Sequence, residues 1–180
     1  MSKVEKKKNK PLNWVIIITI LSFLISLVFS FTSEVLISKI GFFIGLVVLL
    51  FFVSLGVIFD MIGVAVTASK EKALYSMASK RVNGSKLAIK LKKNAPKVSS
   101  FCNDVIGDIC GIMSGSAGVT MVLSIANMTD KNLWITLLVT SLIASITIGG
   151  KALGKTYALK NATKIHIKTA RFLTLFVGND

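Results

Sequence analysis

Asp60, Asp104 and Asp108 lie inside stretches of sequence that are otherwise apolar. A carboxylate in hydrocarbon costs at least ~3 kcal/mol, so it persists where it is paired, hydrated or used. Asp104 and Asp108 are four residues apart, a spacing that puts both on one face of an α-helix. Hard cations take oxygen ligands, and Mg²⁺ is satisfied by one or two carboxylates supplemented by water and neutral oxygens. Asp104, Asp108, Asp60, Asn103, Ser100 and Thr67 offer such a metal-ligating set from two segments. The competing chemistry is internal: the ammonium of Lys151 takes the place of the ion and neutralises the aspartates. Three carboxylates at one depth exceed the charge of one lysine, which tips the reading towards a cation site. An enzyme is not expected, because the sequence offers no nucleophile–base pair or metal triad. The only histidine, His166, falls among lysines at the expected lipid surface. Beyond a bound or transported Mg²⁺, no cofactor is expected.

The elements that must position these residues are membrane helices. Crossing a ~30 Å hydrocarbon core takes about 20 apolar residues. Leu12–Phe31, Ile40–Ala65, Phe101–Ala126 and Leu133–Leu153 qualify, which predicts an all-α integral membrane protein with four transmembrane helices. On the second helix Gly56, Asp60, Gly63 and Thr67 form one small, polar stripe, stepping by four, three and four. On the third, Ser100, Asp104, Gly107, Gly111, Ser114 and Gly118 do the same. There the Gly107-xxx-Gly111-xxx-Gly115 ladder predicts a close helix contact centred on Gly111. The fourth carries Thr136, Thr140, Ala144, Thr147 and Lys151 on one face. At 1.5 Å per residue, Asp60, Asp104, Asp108 and Lys151 all lie within ~5 to ~14 Å of the cytoplasmic ends of their helices. They share one slab and can meet.

Between the second and third helices, residues 69–98 are too polar to span. Ser69 is placed to cap a helix through Ala73, Leu74 and Met77, which breaks at Asn83-Gly84. A second short helix, Ser85–Asn94, sets Lys86, Lys90 and Lys93 against Leu87 and Leu91, and Pro96 ends it. Residues 155–177 repeat the basic amphipathic pattern. Both juxtamembrane helices are expected on the inner leaflet, against anionic lipid.

The net charge of +14 is distributed by topology. Of the 22 Lys and Arg, five precede the first helix, nine fall in the middle segment and six from Lys151 onward, leaving one in each outer loop. The positive-inside rule then puts both termini and residues 69–98 in the cytoplasm, with Thr32–Lys39 and Asn127–Asn132 outside a plasma membrane. The basic stretches do not interleave aromatic residues for base stacking, so no nucleic-acid partner is expected. Residues 1–11 and the first helix mimic a signal peptide, but the apolar run is long and lacks a cleavage site, which reads as a retained anchor. Cys102 and Cys110, eight apart in one helix, read as packing residues or free thiols.

From Gly63 to Leu175 the chain resembles the transmembrane domain of the cyclin M (CNNM) and CorB/CorC family of magnesium and cobalt transporters. Gly63-Val64-Ala65-Val66-Thr67-Ala68 stands at the family's Ser-x-x-Glu-Thr-Ala motif. Gly84 and Ala88 keep the juxtamembrane spacing, and Cys102-Asn103 stands at Gly-Asn. Gly150-Lys151-Ala152-Leu153-Gly154-Lys155-Thr156-Tyr157-Ala158 stands at Gly-Glu-x-x-Pro-Lys-x-x-Ala. Val66 and Lys151 replace both family glutamates, and Gly154 replaces the proline. The nucleotide-binding CBS pair and terminal domain of full-length members have no counterpart in these residues. The resemblance implies a CorB-like membrane domain over residues 40–177, homodimeric and in a divalent-cation context, preceded by an extra helix at 12–32. It leaves two functions open: divalent-cation transport at the acidic site, or a non-transporting structural or regulatory relative.

Overall fold

The computed structural model describes residues 15–28, 31, 42–125 and 133–177. The basic N-terminus and both expected outer loops lie outside these. All described elements are helical: α1 (Val15–Val28), α2 (Phe42–Ala68), α3 (Glu71–Ser79), α4 (Ser85–Lys93) and α5 (Ala95–Ser100), then a π-helical segment (Phe101–Gly107). After it come α6 (Asp108–Ile125), α7 (Leu133–Lys160) and α8 (Ala162–Val177). Two helices, Phe43–Ala68 and Leu137–Lys160, are long and apolar enough to cross a membrane. Their outward faces present Phe43, Val47, Leu50 and Phe51 of α2 and Leu137, Leu138, Leu142 and Ile146 of α7. An exposed apolar surface of that extent marks contact with lipid or another chain.

α2 is the hub. It contacts α6, α7, the π segment, α5 and α8. Gly56, Asp60 and Gly63 of its predicted stripe are buried, while Thr67 is exposed. Glycine brings the backbones together: a Cβ on Gly154 of α7 would lie 2.8 Å from Val57 Cγ1, and one on Gly63 would run into the Asn103 amide. On the far side of α6, Val105, Ile109 and Met113 form a cluster against which Ile18 and Ile25 of α1 pack. The rest of α1 is largely exposed, as a peripheral helix should be.

Below this core, α3, α4 and α8 form a collar around Leu74, Ala88 and Ala170. Its hinge is Gly84, in the left-handed region at φ 82°. A Cβ there would also sit 2.8 Å from the Arg171 backbone nitrogen, so the position needs glycine for conformation and for close approach. α4 matches the predicted second helix within a residue. Pro96 both follows its end and occupies the first turn of α5. Two expectations fail here. Lys70, not Ser69, is the cap residue of α3, and no side-chain bond is made. His166 is not at a lipid surface but completely buried, because it shares a small-residue stripe with Ala158, Ala162 and Ala170 at steps of four.

Candidate functional site: a buried aspartate between two lysines

Asp60, 2% exposed, projects from α2 towards the junction of the π segment with α6 and α7. Gly107 makes the room: a Cβ there would lie 2.5 Å from Asp60 Oδ1 and 3.3 Å from the Cys102 carbonyl oxygen. Asp60 Oδ2 faces two ammonium groups, Lys151 Nζ at 3.8 Å and Lys155 Nζ at 3.5 Å. Lys151 Nζ also lies 3.7 Å from Asp108 Oδ1 and donates to the Gly107 carbonyl at 2.9 Å. Two carboxylates and two ammonium groups therefore balance. Burial differs across the cluster: the side chain of Asp60 is 3% exposed and that of Asp108 69%. The Asp60 contacts are consequently worth far more than the Lys151–Asp108 pair, which water screens.

Of the sequence-predicted site residues, Asp60, Asp108 and Lys151 come together. Asp104 is exposed and makes no ion pair among the described residues. The π segment accounts for this. Its wider i→i+5 turn breaks the three-residue step from Asp104 to Gly107, so Asp104 is exposed while Gly107 is buried. Thr67 directs its hydroxyl to its own helix, 2.9 Å from the Val64 carbonyl and 3.3 Å from that of Gly63. Ser100 is half-buried at the end of α5. Asn103 lies against Gly63 and donates Nδ2–H to Ser99 Oγ at 3.2 Å, while its buried Oδ1 has no partner. Among the described residues no three His, Cys, Asp or Glu side chains converge. Lys155 belongs to the cluster, although the sequence reading assigned it to the juxtamembrane stretch. The signal was its position four residues, one helical turn, beyond Lys151.

Next to the cluster, α6 and α7 diverge and leave a groove of about 390 Å³ lined by Gly111, Ser114, Gly115, Thr140, Thr147 and Lys151 among others. The glycine ladder faces this groove and does not form a packed contact along its length. Gly111 has only Lys151 Nζ near its Cβ position, at 3.9 Å, and Gly115 has nothing within 4 Å. The hydroxyls in the wall turn inward to their own helices: Ser114 to Gly111 O (2.9 Å), Thr140 to Leu137 O (3.1 Å) and Thr147 to Ile143 O (2.8 Å). Compared with family models, with curated proteins and with solved structures, the chain matches none.

Proposed function

We propose that this chain is a four-span membrane protein of CorB/CNNM type in which an internal lysine fills the cation position. It serves as a non-transporting structural or regulatory relative of the magnesium transporters. The observation that carries this reading is Lys151. Its ammonium stands between Asp60 and Asp108 and is bonded to the Gly107 carbonyl, at the position where the resemblance puts a family glutamate. A positive charge held there opposes entry of a divalent cation. One observation favours the transporter reading instead: Asn103 Oδ1, a buried hard-ion donor without a partner.

Unfolding of the purified protein over a Mg²⁺ series separates the two. Specific binding adds about 2.7 kcal/mol of stability at a hundred times Kd. No Mg²⁺-specific shift is expected here beyond that of an equal ionic strength of Na⁺. A Mg²⁺ stabilisation that disappears in Asp60→Asn or Asp108→Asn would restore the transporter reading.

The topology that goes with this function has both termini and the collar in the cytoplasm. The basic outer faces of α4 and α8 then rest on anionic lipid. A cysteine replacing exposed Lys90, on a background lacking Cys102 and Cys110, is expected to resist an impermeant thiol reagent in intact cells and to react after lysis. Labelling from outside would overturn the orientation.

A further inference from the structure

Where α8 crosses the C-terminal end of α2, a donor–acceptor chain joins the two helices. Ser69 Oγ lies 2.8 Å from His166 Nδ1 and 3.0 Å from the Val66 carbonyl. A hydroxyl has one proton to give, and a carbonyl can only accept. The Ser69 proton therefore goes to Val66, and the hydrogen in the bond to the ring belongs to Nδ1. That leaves Nε2 as the bare, basic nitrogen. It is buried and has no hydrogen-bond partner.

Beside it, Lys92 of α4 is fixed in place. Its ammonium donates to the Thr67 carbonyl at 2.5 Å and to the Val66 carbonyl at 3.3 Å, closing the last turn of α2 from outside the helix. Cations are favourable at that end of a helix, so Lys92 has no reason to turn away. Among the described residues, the other surroundings of the ring offer no counter-charge. α2 contributes the neutral Ser69; α3 contributes buried Leu74 to the neighbouring cluster; Lys164 and Lys168 on α8 itself are exposed. Lys70 is exposed as well, its backbone N–H donating to Thr163 Oγ1 at 3.4 Å. Glu71, the one carboxylate in residues 69–98, is exposed and lines a small cleft with Lys92 and Lys93.

We propose that His166 is a proton-operated latch: a proton arriving at Nε2 releases α8 from the C-terminal end of α2. This goes beyond the function proposed above and does not depend on it. The proton would create a second buried cation next to Lys92 and a new N–H with no acceptor, and both faults are cured when the ring swings into water. Burial first, and Lys92 second, hold the ring pKa down to about 4 in the closed state. An imidazole in water titrates near 6.5. The closed state is thus favoured above pH 6.5 and loses ground progressively as pH falls towards 4. One proton linked over that interval raises the opening equilibrium roughly a hundredfold between pH 7 and pH 4.

Because the chain has one histidine, its ring resonance in the full-length protein in micelles reads this site alone. Amide hydrogen exchange, corrected for the intrinsic pH dependence, reads the latch. Opening of residues 162–177 is expected to rise about a hundredfold from pH 7 to pH 4 while residues 108–119 stay protected. His166→Gln keeps an amide donor for Ser69 and cannot be protonated; it should abolish the acid response. If His166→Gln does not fold, the wild-type ring decides. A midpoint near 6.5 with the collar closed, a ring that never titrates down to pH 4, or equal acid opening in the glutamine variant each overturns the latch.

Discussion

Lys151→Met together with Lys155→Met is expected to destabilise the protein by about 3–5 kcal/mol, the usual cost of leaving a buried charge without its partner. Each change alone should cost far less. Lys155 is nearly half exposed, and its pair with Asp60 survives as a reserve when Lys151 is removed. Lys151→Met alone also gives up the bond to the Gly107 carbonyl, worth about 1 kcal/mol. The excess in the double variant is a coupling, so it should vanish when Asp60→Asn is added to it, because the orphaned charge is gone. Chemical unfolding in detergent micelles of the five proteins, wild type included, measures this. Strict additivity of the two lysine changes would mean that Asp60 draws its compensation from water and not from α7.

Gly107→Ala should be clearly destabilising. Its Cβ would stand 2.5 Å from Asp60 Oδ1 and 3.3 Å from the Cys102 carbonyl. The carboxylate is short and held by two lysines, and the carbonyl belongs to the backbone, so neither yields cheaply. Overpacking of this kind costs about 1–3 kcal/mol, and the strained carboxylate also loses its register with Lys151. Gly115→Ala, eight residues on in the same ladder, meets nothing within 4 Å. It should be neutral or gain a few tenths from helix propensity, up to about 1 kcal/mol. The melting temperatures of the two variants should therefore move in clearly different directions or amounts. Equal losses would show that the α6–α7 groove is closed.

Much of this arrangement was legible because strongly apolar helices advertise their inner faces. Gly56, Asp60 and Gly63 stand out against Val, Leu, Ile and Phe, and all three are buried where the stripe predicted. Depth counting put Asp60, Asp104, Asp108 and Lys151 in one slab; Lys151 lies beside Asp60 and Asp108, and Asp104 stands apart. What failed, failed for identifiable reasons. Counting by threes and fours assumes an α-helix, and the Phe101–Gly107 segment is not one, so Asp104 was placed in line with buried Gly107 but is exposed. Small-residue ladders say that a backbone permits close approach, not that a neighbour makes it; Gly111 and Gly115 border a groove. Ser69 looked like a cap because it stands just before the helix through Ala73, Leu74 and Met77, but a hydroxyl with a carbonyl behind it and a histidine in front is better served there. His166 was judged by its lysine neighbours in sequence, when the informative neighbours were the alanines one turn away on either side.

The mechanics of α2 follow from where it is held. Asp60 pins it to α7 through Lys151 and Lys155, and Lys92 pins its terminal carbonyls to α4. The two anchor points are about 10 Å apart along the axis at 1.5 Å per residue. A rod fastened at two heights can neither spin nor slide without breaking both fastenings, so α2 is the stator of the bundle and movement belongs to the helices around it. With the lower fastening undone the same rod keeps a pivot at Asp60. A small displacement at its Ala68 end would then swing its Phe42 half the opposite way.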